Sequence, residues 1–497
     1  MTTQQPQFPR RDVSTIEQVD VVIVGARCAG TAAAVPLVRG GHRVVILDRA
    51  KFPADALSTH VLVPSGVSEL ARMGALNRIL ALNPAKVRHL KITDQDLEVR
   101  ERFKPVDGLD YGVCVPRNLQ DLALVETARE AGADVRERCS VTNVVWRSGR
   151  AVGVVYTDPD GEEREIHARL VIGADGRKSR VAAEVDAWTP YRASKNGRGF
   201  AFRYMDDPQT GTTRHDEFGV YRAKTNVALT LPSTPEGRVL VVNMCPAEDI
   251  SAFRKDPEAA WQGKMDDDPV LARRLDGATN MSKVRSTADL SAYYRRSSGA
   301  GWALAGDAGH FKDPVTGNGM RDALKHGRLL GEAVAPTLHD PVKLDAALAG
   351  WEHARDQDTL STYHWGNRES RPDPVSDLVR EVLRTFSGDD APDVSDTFNR
   401  QRSIESIVSP THLVKGLVAA LRRPGADRKA ILKQALGELP LEWQGRRNRL
   451  IDGFRSTKPT GTERAGWDVG QPAGPPSRRA AADPVAPVVA DRPRVAA

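Results

Sequence analysis

Val19-Asp20-Val21-Val22-Ile23-Val24-Gly25-Ala26-Arg27-Cys28-Ala29-Gly30 is the stretch on which the fold turns. Its apolar half is continuous rather than alternating, which is the pattern of a strand buried on both faces of a parallel sheet. An Ala-rich helix is predicted to follow as far as about Arg39, where Gly40-Gly41 stops it. Pro36 inside that helix predicts a kink. Arg43–Leu47 reads as the second strand, completing a βαβ unit. The turn is close to Gly-x-Gly-x-x-Gly. Gly25 permits the tight turn, and Gly30 lets the helix pack closely on the strand. The backbone of Ala26, Arg27 and Ala29 then offers N–H groups and a positive dipole end to a pyrophosphate. Arg27 stands where a middle glycine is usual, with its side chain either turned away or laid beside the phosphates. Asp48, followed by Arg49, ends the second strand at about the twenty-residue spacing where a carboxylate accepts from ribose hydroxyls. An acid there disfavours a 2′-phosphate.

A second constrained loop lies at Gly306-Asp307-Ala308-Gly309-His310-Phe311-Lys312-Asp313-Pro314-Val315-Thr316-Gly317-Asn318-Gly319-Met320. A strand, Trp302–Gly306, leads into it and a helix from Met320 leads out. Asp307 is a candidate acceptor for a ribityl hydroxyl. Pro314, Gly317, Asn318 and Gly319 let backbone N–H groups approach a flat ring. The helix beginning at Met320 aims its dipole at that ring, which stabilises negative charge on a reduced flavin.

These loops resemble those of the group A FAD-dependent monooxygenases, the p-hydroxybenzoate hydroxylase-like superfamily that also includes geranylgeranyl reductases and flavin-dependent halogenases. Gly173-Ala174-Asp175-Gly176, with Arg177 and Ser179, is similar to a third signature of that family. The resemblance implies FAD as cofactor and NAD(P)H as a transient electron donor. It places Asp175 near the pyrophosphate, Arg117 on the flavin side and the backbone of Val141 against adenine. It implies an α/β fold: a Rossmann-like FAD domain of the glutathione reductase type, an inserted antiparallel substrate sheet and a helical C-terminal extension. The expected reaction uses NAD(P)H and O2 to oxygenate a small organic substrate, aromatic or polycyclic. The alternatives are an FAD-linked reductase of C=C bonds, an oxidase, and a flavin-bearing binding protein. The halogenase Trp-x-Trp-x-Ile-Pro signature is missing, and no second Gly-rich βαβ unit for a dedicated NADPH domain is visible.

Two histidines are candidate catalytic groups, since imidazole titrates near neutral pH. His60, in Leu57-Ser58-Thr59-His60, falls where related folds pass close to the flavin ring; the alternative is a hydrogen-bonded loop histidine. His310 follows the Gly-Asp pair, with a structural role as its alternative. Lys312 and Asp313 read as a surface ion pair. Tyr293-Tyr294-Arg295-Arg296 reads as strand surface, with lining a pocket as the alternative. Packing is the expected role of Cys28.

The chain has 497 residues, 40% hydrophobic and 27% charged, with 71 Lys+Arg against 65 Asp+Glu. A net charge of +6, dispersed over that length, reads as solvated surface and not as a nucleic-acid footprint. The 4 cysteines have neither metal-site nor redox-motif spacing, and no metal is expected. No apolar run of about eighteen residues suggests a bilayer span, so no integral membrane contact and a cytoplasmic location are expected. The expected organisation is a disordered N-terminus over 1–18, FAD-domain segments over 19–190 and 299–340, a substrate sheet over 191–298, helices over 341–457 and a disordered tail over 458–497.

Overall fold

A computed structural model describes residues 16–437, except Leu57, Thr59, Glu236 and 387–393. The first strand, Glu17–Val24, begins inside the stretch 1–18 expected to be disordered. Polar Glu17 is drawn into it because it pairs with Ile166 in parallel register and accepts from Arg136 Nη1 at 2.8 Å. Residues 1–15 and the expected tail 458–497 lie outside the described residues.

The βαβ unit comprises Glu17–Val24, the helix Cys28–Arg39 and the strand Val44–Leu47. The first strand pairs in parallel on both sides, Val24 lying beside Leu47 and Gly173. Trp302–Leu304 and Asp134–Arg136 extend the parallel layer outward. A hairpin, Ser140–Arg147 and Arg150–Thr157, pairs antiparallel with Glu163–Gly173. Five parallel strands thus end at one edge, and the loops after Val24, Leu47, Arg136, Gly173 and Leu304 meet there.

The helix Gly319–Val334 crosses Cys28–Arg39 on small residues. A Cβ on Gly327 would stand 2.4 Å from the Ala29 carbonyl oxygen, and one on Gly331 would stand 2.4 Å from that of Ala33. This contact brings the starts of both helices to the same edge of the sheet. Gly331→Leu is expected to destabilise the protein by about 1–3 kcal/mol, the usual cost of overpacking. Urea unfolding checks it, and a value within error of wild type would show that the helices separate freely.

The second sheet has seven strands, in the order Arg285–Thr287, Arg198–Asp206, Arg238–Pro246, Asn226–Ser233, Glu217–Ala223, His89–Asp94 and Leu97–Arg102. Its last two strands come from within 19–190, so the sheet is not built from 191–298 alone. His89–Asp94 joins by parallel pairing with Glu217–Ala223, a long-range contact with no local signal. One face, bearing Ala201, Met205 and Val241, packs against helices between Ile250 and Arg274. The other, bearing Phe200, Phe202 and Leu240, packs on Val61, Val315 and the C-terminal helices through Leu378 and Val382. The described helices beyond 341 include Pro341–Glu369, Asp377–Arg384 and Pro410–Arg422.

Candidate functional site

A cleft of about 690 Å³ opens where the five parallel strands end, within the size range of cofactor pockets. Its base is the local geometry of those ends. Gly25 has φ +107°, and a Cβ there would stand 2.3 Å from the Ala174 carbonyl oxygen. A Cβ on Gly30 would stand 1.9 Å from the Gly25 carbonyl oxygen. Both glycines are therefore steric requirements of the turn. Buried Asp48 accepts from the Ala26 N–H at 2.7 Å and from the Ala50 N–H at 2.8 Å. A carboxylate with one backbone donor on each oxygen keeps lone-pair capacity for a ligand.

Seven cationic residues line the cleft (Arg27, Arg49, Arg117, Arg177, Lys178, Arg180 and Lys312) against the acids Asp48, Asp175, Asp289 and Asp307. Such an excess suits a diphosphate. Arg27 turns its guanidinium onto fully buried Asp121. The same carboxylate accepts from Arg117 Nε and Nη2, each at 3.0 Å. Arg27 thus replaces the small middle glycine with a cation neutralised from the helix Arg117–Ala131. Asp307 differs from the other acids, because no hydrogen bond among the described residues reaches its carboxylate. Burial raises that carboxyl above the usual range, and Arg177, Arg117 and Lys312 oppose the rise.

The lining also carries the apolar side chains Val61, Phe200, Leu290, Phe311 and Pro314. Arg177 lies over the Phe311 ring at 4.3 Å and donates to Asp289 Oδ1 at 2.8 Å, closing one side. His60 is buried with φ +59°; like His310 it is not itself among the lining residues, although its neighbours Ser58 and Val61 are. Its Nδ1 is 2.8 Å from the Tyr204 hydroxyl, and Nε2 has no partner among the described residues. The hydroxyl and the ring nitrogen can each donate or accept in that bond, which holds the ring in place in either tautomer. A buried polar atom without a partner is costly unless a ligand meets it.

Burial, reinforced by Arg117, pushes the His60 imidazole down to about 3. The unfolded chain therefore binds one more proton than the folded one between the ordinary value of about 6.5 and 3. This group's contribution is intact above pH 6.5 and is lost as pH falls, at about 1.4 kcal/mol per unit. His60→Gln is expected to flatten the pH dependence of unfolding between about pH 6 and 4 by that amount. Parallel wild-type and variant slopes in urea titrations would sink the assignment.

Among the sequence candidates, Gly25, Arg27, Ala29, Asp48, Arg49, Arg117, Val141, Asp175, Gly306, Asp307, Pro314, Gly317, Gly319 and Met320 line the cleft. Ala26, Gly30 and Asn318 shape it from behind. Asn318 donates to the Thr316 carbonyl at 2.7 Å. The Asp175 carboxylate is already engaged, accepting from the Ser179 hydroxyl at 2.6 Å and the Arg180 N–H at 2.6 Å, so it holds the start of a short helix. His310 is buried, stacked on Tyr294 and edge-on to His326, and is not among the lining residues. Lys312 and Asp313 are not a surface pair. Lys312 is buried against Asp322, and Asp313 accepts from Asn196 Nδ2 and from the Val315 N–H at 2.9 Å. Tyr293, Tyr294 and Arg295 are likewise interior, with Arg295 lying 4.2 Å over Trp188. Burial pushes the Cys28 thiol up to about 11, in keeping with packing. Phe200 and Leu290 carry no motif that marks them in sequence, whereas Phe311 and Lys312 lie within the loop already singled out.

Residues 18–354 match the family model of the FAD binding domain. The chain belongs to that family. It is an FAD-dependent oxidoreductase. Menaquinone reductase of Mycobacterium tuberculosis is 28% identical over 338 residues, spanning 64% of this chain and 77% of that protein. Digeranylgeranylglycerophospholipid reductase 2 of Methanopyrus kandleri is 25% identical over 393 residues, spanning 74% and 90%. Among solved structures, the myxobacterial chondrochloren halogenase CndH superposes with a TM-score of 0.64 at 21% identity, covering 81% of this chain and 97% of that one. That last likeness is one of fold. No helix among the described residues is long and apolar enough to cross a membrane.

Proposed function

We propose that the cleft holds FAD and that the protein is an NAD(P)H-dependent monooxygenase of an apolar organic substrate, aromatic or polycyclic. When bound, FAD supplies redox chemistry, taking electrons from NAD(P)H and delivering them to O2 or to a substrate. In this reading Asp48, Arg49 and Val141 receive the adenosine end. Gly25, Ala26, Arg27, Ala29 and Gly30, with Arg117 behind them, receive the diphosphate. Gly306 and Asp307 receive the ribityl chain, and Pro314, Gly317, Asn318, Gly319 and Met320 receive the ring. Asp175 acts indirectly, by fixing the loop beside the diphosphate.

The observation that carries the substrate class is the apolar part of the cleft lining, with Val61, Phe200 and Phe311. Next to that wall, the uncharged imidazole of His60 is held by Tyr204 with its Nε2 left unpartnered among the described residues. It is suited to orienting a reacting oxygen, while its depressed basicity argues against a role as an imidazolium acid. His310, packed away from the lining, supports the loop instead of touching substrate.

The curated relatives favour a second reading, reduction of a C=C bond in an apolar substrate, because both named enzymes are reductases. One experiment separates the two. FAD-loaded protein is turned over with NADH or NADPH under isotopically labelled O2, with a polycyclic phenol or menaquinone, and the products are weighed by mass spectrometry. Gain of one labelled oxygen supports oxygenation. Gain of two hydrogens, undiminished without O2, overturns it in favour of reduction. Hydrogen peroxide alone, with every substrate unchanged, points to an oxidase.

A further inference from the structure

Six large apolar side chains are exposed among the described residues, and four of them lie in one short stretch: Val414 at 62%, Val418 at 40%, Leu432 at 48% and Leu436 at 72%. The stretch contains the helix Pro410–Arg422 and a helix over 428–437. Val414 and Val418 are four residues apart, as are Leu432 and Leu436, so each pair forms a stripe on one helix face. The opposite faces are committed. Leu413 and Leu417 pack on the cluster beneath the seven-stranded sheet, which also takes in Ile407 and Ala435. Gly416 closes on Val382, where an added Cβ would stand 2.6 Å from its Cγ2. The outward stripes are therefore not misplaced core.

Beside these stripes stand exposed Lys415, Arg422, Arg423, Arg428, Lys429 and Lys433. Arg423 pairs with Asp96 and Glu381. Lys415, Arg422, Lys429 and Lys433 have no ion pair among the described residues. The only acid between 410 and 437 is Asp427, whose carboxylate is taken by the Lys429 and Ala430 N–H groups at 3.0 Å each. Aliphatic stripes flanked by unpaired cations fit an anionic lipid surface, where acyl chains cover the apolar groups and headgroups meet the charges. A second copy would bring like charge against like charge. The chain beyond 437 is itself net basic and no better matched.

We propose that the helices Pro410–Arg422 and 428–437 form a peripheral docking surface for an anionic bilayer, entered by Val414, Val418, Leu432 and Leu436 without crossing it. The proposal does not depend on the reaction assigned above, and its test needs no turnover. The full-length FAD-loaded protein is sedimented with vesicles of phosphatidylcholine alone or mixed equally with phosphatidylglycerol. Partitioning is expected to be at least about tenfold stronger on the anionic vesicles and to weaken with salt. Val414→Ser with Leu436→Ser, and separately Lys429→Gln with Lys433→Gln, are each expected to lower it several-fold while flavin content and melting temperature hold. Equal partitioning on both vesicles, or binding indifferent to both variant pairs, overturns the proposal. Self-association that the serine pair abolishes, without vesicle binding, assigns the face to a second copy. Vesicle binding seen only after removal of 438–497 assigns it to the chain's own tail. Capture by soluble polyglutamate matching the vesicles, indifferent to the serine pair, assigns it to an acidic protein.

Discussion

Gly25→Val is expected to give a protein that purifies without flavin. At φ +107° a β-branched residue is strained by about 1–3 kcal/mol before any contact is considered. The added Cβ also meets the Ala174 carbonyl oxygen at 2.3 Å. Backbone atoms on both sides have to give, and they belong to two adjacent parallel strands, paired at Val24 and Gly173. Relief comes by separating the two loops that together floor the cleft. A penalty of about 3 kcal/mol weakens FAD binding roughly a hundredfold. The ratio of flavin to protein absorbance, and FAD titration by fluorescence, measure it. Gly41→Ala is the control, since its φ of +85° is also positive but nothing lies within 4 Å of the added carbon. It should cost stability and leave flavin content unchanged. Wild-type flavin retention in Gly25→Val would show that the turn is not part of the cofactor site.

Asp121→Ala should produce the largest loss of stability. Asp121 is fully buried and faces two guanidiniums, Arg27 and Arg117. Removing the acid leaves two cations in a poorly hydrated site, and breaking a buried pair of this kind costs about 3–5 kcal/mol. Arg117 is the more affected because it is the more deeply buried, at 11% side-chain exposure against 28% for Arg27. The loss should be greatest in flavin-free protein. Added FAD should restore part of it, both by mass action and because the diphosphate brings negative charge to the same cations. Urea unfolding with and without FAD reads both effects. A cost under about 1 kcal/mol without flavin would mean the cations are hydrated and the cluster is a surface one.

Much of the cofactor region is legible from local rules. A continuous apolar run of four residues before Gly25 is a buried parallel strand because burial on both faces leaves no polar position. Gly25 and Gly30 can be read because close backbone approach is a property of the residue itself. The loop from Gly306 to Met320 declares itself by the density of glycine and proline between a strand and a helix. Histidines were harder. His60 and His310 look alike in sequence, each beside a cofactor loop, and both are buried behind cleft-lining neighbours, one bonded to Tyr204 and the other stacked on Tyr294. Which outcome applies depends on Tyr204 and Tyr294, which lie on other elements.

The charged interior was not legible at all. Lys312 and Asp313 are neighbours in sequence and read as a solvated pair, but burial sends each to a different partner, Asp322 and Asn196. Tyr293, Tyr294 and Arg295 read as strand surface for the same reason: composition reports how polar a residue is, not whether a partner waits inside. Arg27 left two orientations open, and Asp121, far along the chain, chose between them.

By itself, then, the sequence determined the βαβ start, the two glycine turns, the acid at the second strand end and the ring-side loop, because periodicity and backbone sterics act over a few residues. Tertiary structure alone decided the Arg27–Asp121–Arg117 cluster, the His60–Tyr204 pair, the apolar wall with Phe200 and the recruitment of His89–Asp94 into the second sheet. Each of these is a pairing between distant segments, and its free energy exists only once desolvation and packing have brought both partners to one place.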